Sequence, residues 1–227
     1  MFNIAVIVNT ATVFFGALLG LKVGHKIPEA FRDISFTIIG TVTLLIGVQM
    51  GLETKNMMVV LLSLVIGGVI GQALGIEEGI GRFVDRFGKK GGENQAVKGF
   101  ITSTLLFVSG PMTILGSFQA GVSGDYSIIF LKSALDGISA LLLGSLYGVG
   151  VLFTAGSVFL IQGFLVSFSS VLTFLTQPEY LKDFTGVGGM MLVIIGLRMM
   201  GIKETKVGNL LPALLVVLIA NAILLRF

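Results

Sequence analysis

The chain has no cysteine, a single histidine and few charged residues. Without cysteine, disulfides, thiol redox chemistry and thiolate metal sites are excluded. Charged residues make up 12% of the 227 residues, about half the share found in a soluble domain. Hydrophobic residues make up 54%, and the mean hydropathy is +1.00. This balance predicts an all-α, polytopic membrane protein, and the net charge of +3 does not indicate a nucleic-acid partner.

Enzyme signatures are missing or incomplete in the sequence. The segment Gly121-Val122-Ser123-Gly124 resembles the GxSG motif of intramembrane serine proteases. That chemistry needs a histidine inside the membrane, whereas His25 lies in a loop between apolar stretches. The sequence contains neither an HExxH zinc motif nor a phosphate-binding GxxxxGK[S/T] loop. We therefore expect no enzymatic activity, no cofactor and no metal centre.

Eight apolar stretches are long enough to cross a bilayer, which takes about 20 residues each. They cover residues 3–21, 34–52, 57–76, 99–121, 126–148, 151–175, 184–201 and 208–225. The uncharged stretch from Gly137 to Pro178 is long enough for two helices and is divided near Gly148 and Gly150. Residues 77–90 predict a short amphipathic helix on the membrane surface, because apolar side chains recur there at helical spacing: Ile80, Phe83, Val84 and Phe87. A loop at residues 91–94 follows.

Basic residues fall almost entirely in the loops on one side of the predicted bilayer. If eight spans alternate in direction, one side receives eleven lysines and arginines and the other receives three. Cytoplasmic loops are the ones enriched in basic residues. The count therefore predicts that both termini lie outside.

A Pro-Glu-x-x-basic-Asp segment occurs twice, at residues 28–33 and 178–183. The first copy falls between spans 1 and 2 and the second between spans 6 and 7, on opposite sides of the membrane. Residues 45–55 also resemble residues 195–206. These matches predict an inverted-topology repeat, an arrangement found in many transporters. Within one integral-membrane domain of residues 1–227, repeat A (1–76) and repeat B (151–227) would flank the surface segment 77–98 and the central spans 99–148.

Asp136 is the most informative single residue, because it falls near the middle of span 5. A carboxylate at that depth costs about 2.5–3.5 kcal/mol even on insertion scales, so a functional role is the first hypothesis. Lys132 lies one turn earlier on the same face and can pair with it. The sequence leaves two interpretations open: an ion-binding carboxylate with a lysine partner, or a structural ion pair.

Span 4 contains Ser109-Gly110-Pro111-Met112-Thr113 at its centre. Proline removes a backbone hydrogen bond and glycine permits a bend, so the span is expected to break or kink here. In a broken span, Pro111 would begin the second half-helix and Ser109 would cap it. The free N–H groups of that half-helix would then form a site for ions or anionic groups, with Ser109, Gly110 and Thr113 as ligands.

Other polar residues within the spans are expected mainly to form hydrogen bonds between helices. Asn9 and Gln162 are singled out as site candidates, because they lie in the corresponding spans 1 and 6. GxxxG pairs indicate close helix packing, within the chain or between subunits of a homo-oligomer: Gly16/Gly20, Gly67/Gly71 and Gly144/Gly148.

The central spans also carry a family resemblance. Residues 105–117, followed by Gly124-Asp125 and by Lys132-Ser133-Ala134-Leu135-Asp136-Gly137, resemble the YdfK/YqgA-type bacterial inner-membrane proteins. The resemblance extends over nearly the whole chain. It implies a location in the bacterial inner membrane, and it brings no substrate and no catalytic residues.

Together these features predict a secondary-type transporter of a small solute or ion, with a mid-membrane site at Asp136 and the break in span 4. An ion channel formed at an oligomeric axis and a non-transporting membrane scaffold or accessory subunit remain as alternatives. A water-filled cavity that reaches Asp136 would favour transport. Sealed pairing of Lys132 with Asp136 would favour the scaffold.

Overall fold

A computed structural model of the chain describes residues 3–24, 28–85 and 93–224, and every regular element in these ranges is helical. Ten α-helices occur there: α1 (Ile4–Gly24), α2 (Glu29–Leu52), α3 (Met57–Leu74), α4 (Ile76–Asp85), α5 (Glu93–Val108), α6 (Pro111–Val122), α7 (Ser127–Tyr147), α8 (Gly150–Ser167), α9 (Pro178–Met199) and α10 (Ala213–Leu224). Short 3-10 turns at Thr173–Thr176 and Val207–Leu210 precede α9 and α10.

Seven segments in the described ranges are long and apolar enough to cross a membrane by themselves. They comprise α1, α2 from Asp33 onward, α3, α7, α8, α9 and the segment Val207–Leu224. The predicted all-α, multi-span architecture is therefore confirmed. Predicted span 6 was too long: α8 ends at Ser167, and the chain continues in turns closed by backbone hydrogen bonds such as that from Val171 N–H to the Phe168 carbonyl oxygen.

The remaining predicted span consists of α5 and α6, which meet at an angle of 58°. Gly110 is extended, with φ −79° and ψ 151°, and Pro111 is the first residue of α6. A residue before proline is pushed away from helical geometry, so the predicted break is confirmed. The predicted cap is wrong: Ser109 makes no capping bond to α6, and its Oγ instead donates to the Leu105 carbonyl oxygen at 2.6 Å.

Contacts with α8 give the course of α5 and α6. Near the start of α8, a Cβ on Gly150 would lie 1.8 Å from the Ala96 carbonyl oxygen. One turn further along α8, the Ser103 and Thr154 hydroxyls are hydrogen-bonded at 2.6 Å. At the far end, a Cβ on Gly121 would lie 2.6 Å from the Val166 carbonyl oxygen. The two half-helices thus follow α8 from end to end in one direction, which is the course of a broken span rather than of a re-entrant hairpin.

The helices form two compact units. The first contains α1 and α5 to α8, and its most extensive contact is between α1 and α7. A Cβ on Gly16 would lie 2.2 Å from the Gly137 carbonyl oxygen, and one on Gly20 would lie 2.1 Å from that of Leu141. Residue numbers rise together along this contact, so α1 and α7 are parallel. The pair Gly16/Gly20 therefore packs within the chain.

The second unit contains α2 from Asp33, α3, most of α4, α9 and α10. Here α2 and α9 cross at glycines: a Cβ on Gly40 would lie 3.1 Å from the Gly196 carbonyl oxygen, and one on Gly47 would lie 2.6 Å from that of Gly189. Residue numbers rise on one helix as they fall on the other, so α2 and α9 are antiparallel. Asp33 of α2 and Pro178 of α9, each in a Pro-Glu segment, therefore lie toward opposite ends of the pair.

Two acidic residues of the second Pro-Glu segment bind the short connection between α2 and α3. Asp183 is buried, and its Oδ1 accepts the backbone N–H groups of Lys55 and Asn56 at 2.9 Å each. Glu179 forms an ion pair with the Lys55 side chain. In the first segment, the corresponding Asp33 is exposed.

The predicted amphipathic helix is present as α4 from Ile76 to Asp85. Its first turn is tied to the link before α10: Glu77 Oε2 accepts the Gly208 N–H at 2.7 Å, and Glu78 forms an ion pair with Lys206. Phe87 and residues 91–92 of the predicted loop lie outside the described residues. The loop prediction is wrong for Glu93 and Asn94, which begin α5.

Candidate functional site

Asp136 is the tenth residue of α7 and Lys132 the sixth. At 1.5 Å per residue, Asp136 lies about 14 Å from the start of this helix, close to its middle. Lys132 Nζ and Asp136 Oδ2 form an ion pair one helical turn apart, and each residue is 6% exposed. Two opposite charges are therefore buried together in the middle of a span.

Asn9 of α1 and Gln162 of α8 complete this cluster. The Asn9 Nδ2 donates to Asp136 Oδ2 at 3.3 Å and to Gln162 Oε1 at 3.0 Å. Both amide residues are buried, with 0% and 1% exposed. Three of the helices of the first unit thus each contribute a polar side chain to one point, and all four of these predicted site residues are brought together.

The broken span approaches the cluster through Phe107, near the end of α5. The Phe107 ring centroid lies 5.8 Å from Lys132 Nζ, a distance suited to a cation–π contact. The Phe107 carbonyl oxygen accepts the Thr113 hydroxyl at 2.7 Å. This bond joins the two half-helices across the bend, so Thr113 has a positioning role here.

Sequence reasoning missed Phe107, because an aromatic residue in an apolar span carries no signal by itself. Its place two residues before the Ser-Gly-Pro segment is the only hint. The predicted residues Ser109, Gly110 and Pro111 form the bend, and a Cβ on Gly110 would meet no atom within 4 Å.

Two amide atoms in the cluster have unused hydrogen-bonding capacity. Within the described part of the chain, Asn9 Oδ1 and Gln162 Nε2 are buried and have no hydrogen-bond partner. Buried polar groups are nearly always satisfied in folded proteins, so each exception calls for an explanation. Here the exceptions belong to Asn9, which is hydrogen-bonded to Asp136, and to Gln162, which is hydrogen-bonded to Asn9.

Two pockets lie between α1 and α8. The smaller, of about 230 Å³, is lined by residues that include Asn3, Val6 and Phe164. The larger, of about 580 Å³, is mostly apolar and includes Thr10 and Gly156 in its lining. Neither lining includes Asp136, so the charged pair is sealed from both pockets in this conformation.

A bundle of apolar helices with a charged pair buried in one of them defines a multi-pass α-helical membrane protein. The chain belongs to the family described as "Protein of unknown function (DUF554)", which it matches over residues 4–222. This finding confirms the resemblance drawn from the central spans.

Two relatives align over nearly their full lengths. The "Uncharacterized membrane protein YdfK" of Bacillus subtilis (strain 168) is 31% identical over 229 residues, covering 97% of this chain and 98% of the relative. The "Uncharacterized protein YqgA" of Escherichia coli (strain K12) is 29% identical over 222 residues, covering 95% and 94%. No solved structure matches the chain.

Proposed function

We propose that the protein is a secondary-type transporter of a small solute or ion, with its site at the cluster of Asn9, Lys132, Asp136 and Gln162. The observation that carries this proposal is the buried Lys132–Asp136 pair. Asn9 is hydrogen-bonded to Asp136 and to Gln162, and each of these two amides has one buried atom without a hydrogen-bond partner. Ionisable groups inside a membrane are costly and typically mark ion or substrate pathways. Asp136 is the binding carboxylate, and Lys132 is the partner that holds the site when it is empty.

The break between α5 and α6 lies next to this site. Irregular backbone at membrane depth is tolerated where it is buried in protein or lines a cavity. Many transporters place their sites beside such discontinuous helices. In this proposal, movement at the break opens a path to Asp136, and the open space beside Gly110 leaves room for it.

Alternating access through an inverted repeat is supported by the α2–α9 crossing. The two helices meet in antiparallel directions, with Gly40 near Gly196 and Gly47 near Gly189. In the proposed repeat of spans 1–3 and 6–8 around spans 4 and 5, the corresponding spans 2 and 7 run in opposite directions, as α2 and α9 do.

The two Pro-Glu segments differ in a way that fits one of two alternating states. Asp183 holds the link at residues 55–56, whereas Asp33 is exposed. In an inverted-repeat transporter the halves exchange conformations, so the opposite state would release Asp183 and engage Asp33.

The protein would act in the bacterial inner membrane, with both termini outside and with copies of itself as neighbours. This location rests on the family resemblance and on the distribution of basic residues.

Proteoliposome uptake tests the proposal, with cations, anions and amino acids supplied in turn. The single variant Asp136→Asn should abolish saturable uptake. It also leaves a buried ammonium without its partner, and breaking a buried pair costs about 3–5 kcal/mol. A second variant, Lys132→Met with Asp136→Leu, avoids this problem, because apolar replacement of a whole pair is often neutral or stabilising.

The expected result is a double variant that is as stable as the wild type and transports nothing. Full uptake by either variant would refute the assigned site. Conductance without saturation would favour the channel.

A non-transporting scaffold is the second candidate, and the burial of the Lys132–Asp136 pair favours it. In that case wild-type vesicles would move none of the solutes, and the double variant would keep both its stability and its assembly.

A further inference from the structure

We infer that the site takes a small α-amino acid as its zwitterion, with the substrate ammonium on Asp136 and the substrate carboxylate on Lys132. This inference rests on the proposed function and names the substrate class of the same site. No covalent bond changes and no proton moves. One buried ion pair is replaced by two, because each end of the substrate takes over one partner of the Lys132–Asp136 pair.

The buried pair has no net charge, and its surroundings favour a substrate that also has none. The Lys132 and Asp136 side chains are 7% and 9% exposed. An uncompensated charge in such surroundings is strongly disfavoured. A simple cation or anion that joined the pair would leave an excess of one charge, whereas a zwitterion adds none.

The helices around the pair offer little that could compensate a simple ion. In the described helices, Lys132 and Asp136 are the only charged residues of α7, and α6 and α8 contain none. Lys22 lies in the last turn of α1, and Glu93 and Lys98 lie in the first two turns of α5. These three residues lie toward the ends of their helices, away from the cluster.

An uncharged polar molecule would also keep the cluster neutral, but it has nothing with which to part the ion pair. Breaking a buried pair without replacing the partners is strongly destabilising, because each charge is left uncompensated. A zwitterion supplies both replacements at once. An α-amino acid has both charged groups on one carbon atom, so they can reach two side chains one helical turn apart, as Lys132 and Asp136 are.

The hydrogen bonds of the cluster fix the orientation of both amides. A carboxylate paired with a lysine only accepts hydrogen bonds, so the Asn9 atom 3.3 Å from Asp136 Oδ2 is the donor Nδ2. The same nitrogen lies 3.0 Å from Gln162, so the Gln162 atom at this contact is the acceptor Oε1. The two remaining amide atoms are therefore one acceptor, Asn9 Oδ1, and one donor, Gln162 Nε2.

These two remaining atoms match the two ends of an amino acid. In the part of the chain that the structure describes, both are buried and neither has a hydrogen-bond partner. A primary ammonium group donates hydrogen bonds, which Asn9 Oδ1 can accept, and a carboxylate accepts them, which Gln162 Nε2 can donate. In the proposed complex each end of the substrate thus gains a hydrogen bond in addition to its ion pair.

The packing around the cluster favours a substrate with a small side chain. The α1 and α7 backbones nearly touch beside Asp136, where a Cβ on Gly137 would lie 3.2 Å from the Thr12 Cβ. On the side of the broken span, the Phe107 ring centroid lies 5.8 Å from Lys132 Nζ. We therefore name glycine and L-alanine as the substrates to test.

Equilibrium dialysis of radiolabelled glycine and L-alanine against the purified full-length protein in detergent tests the inference. Saturable binding at one site per chain is expected. Three competitors each change one feature of glycine: acetate lacks the ammonium, methylammonium lacks the carboxylate, and trimethylglycine keeps both charges but has no N–H group. Each should displace glycine at least about tenfold less well than unlabelled glycine does, because each loses an ion pair or the hydrogen bonds of a charged group.

Gln162→Met tests the amide donor without changing the charge of the cluster. Glycine affinity should fall about ten- to a hundredfold, and an unchanged affinity would overturn the contact with the substrate carboxylate. Gln119→Met makes the same change at an exposed position of α6 and should bind glycine as the wild type does. The double variant Lys132→Met with Asp136→Leu should bind none. If a site variant fails to fold, the competition series on the wild type still decides the question.

The outcomes separate this inference from the proposed function. Absence of glycine and alanine binding to the folded wild type would overturn the inference, and so would displacement by any of the three analogues as readily as by glycine. Uptake of a simple ion that depends on the Lys132–Asp136 pair, without amino-acid binding, would overturn the inference and leave transport standing. Glycine binding with the expected selectivity, but without uptake into proteoliposomes, would support the inference and overturn transport.

Discussion

Replacement of Gly20 by alanine tests the contact between α1 and α7. The new Cβ would lie 2.1 Å from the Leu141 carbonyl oxygen and 2.9 Å from the Ser145 nitrogen, whereas ordinary contact begins at 3.4 Å. Both obstacles are backbone atoms, which cannot turn away as a flexible side chain can. The helices must therefore separate by about 1 Å, a change typical of overpacked cores that cost about 1–3 kcal/mol.

Gly163→Ala on α8 is the matched control. A Cβ at Gly163 would meet no atom within 4 Å. Because alanine is favoured over glycine inside a helix by about 0.5–1 kcal/mol, this variant should gain stability. The same substitution of glycine by alanine is thus expected to lower stability at Gly20 and to raise it at Gly163, and only the packing around the two positions differs.

Reversible unfolding in mixed detergent micelles measures both variants. The chain has no tryptophan, so loss of helix is followed by far-ultraviolet circular dichroism. Gly20→Ala should unfold at a lower fraction of denaturing detergent than the wild type, and Gly163→Ala at an equal or higher one. Equal stability of the two variants would show that α1 and α7 do not meet at Gly20.

Two further predictions concern the second unit. Asp183→Ala should destabilise the protein by about 1.5–3 kcal/mol, because hydrogen bonds to a charged group have this net value. Asp33→Ala, at an exposed position, should change stability by less than about 0.5 kcal/mol. An equal loss of stability in both variants would contradict the role assigned to the hydrogen bonds from residues 55 and 56 to Asp183. Burial raises the pKa of the Glu77 carboxyl above its ordinary 4.5, against the lowering effects of the Gly208 N–H and of Arg198. The folded state then binds this proton more tightly than the unfolded chain, so stability should fall as the pH rises above 4.5. Glu77→Gln should flatten that part of the unfolding profile, and an unchanged slope would refute the assignment.

The spans and their break could be predicted from the sequence, because both depend on local chemistry. Span length follows from the thickness of the hydrocarbon core, and the bend at Gly110 follows from the proline after it. The Lys132–Asp136 pair could also be predicted from the sequence, since one helical turn separates the two residues. Each of these features involves one helix or two adjacent half-helices.

Features that depend on contacts between helices could not be derived in the same way. The sequence singled out Asn9 and Gln162 but did not show that one amide joins the other to Asp136. Phe107 carried no polar signal at all. The capping role predicted for Ser109 was wrong, because a serine in the last turn of a helix can donate to the carbonyl one turn back instead. Apolar periodicity identifies the faces of helices but does not identify their partners.

The packing of α1 on α7 explains why the cluster forms where it does. Gly137 follows Asp136 directly, and a Cβ on Gly137 would lie 3.2 Å from the Thr12 Cβ. Asn9 is one turn before Thr12 on a helix that runs parallel to α7. An asparagine side chain is short, so it can reach Asp136 only where the two backbones are nearly in contact. The glycines of α1 and α7 provide that contact. We therefore expect Gly20→Ala to weaken function as well as stability, because any separation of the helices lengthens the hydrogen bond from Asn9 to Asp136, which is already 3.3 Å.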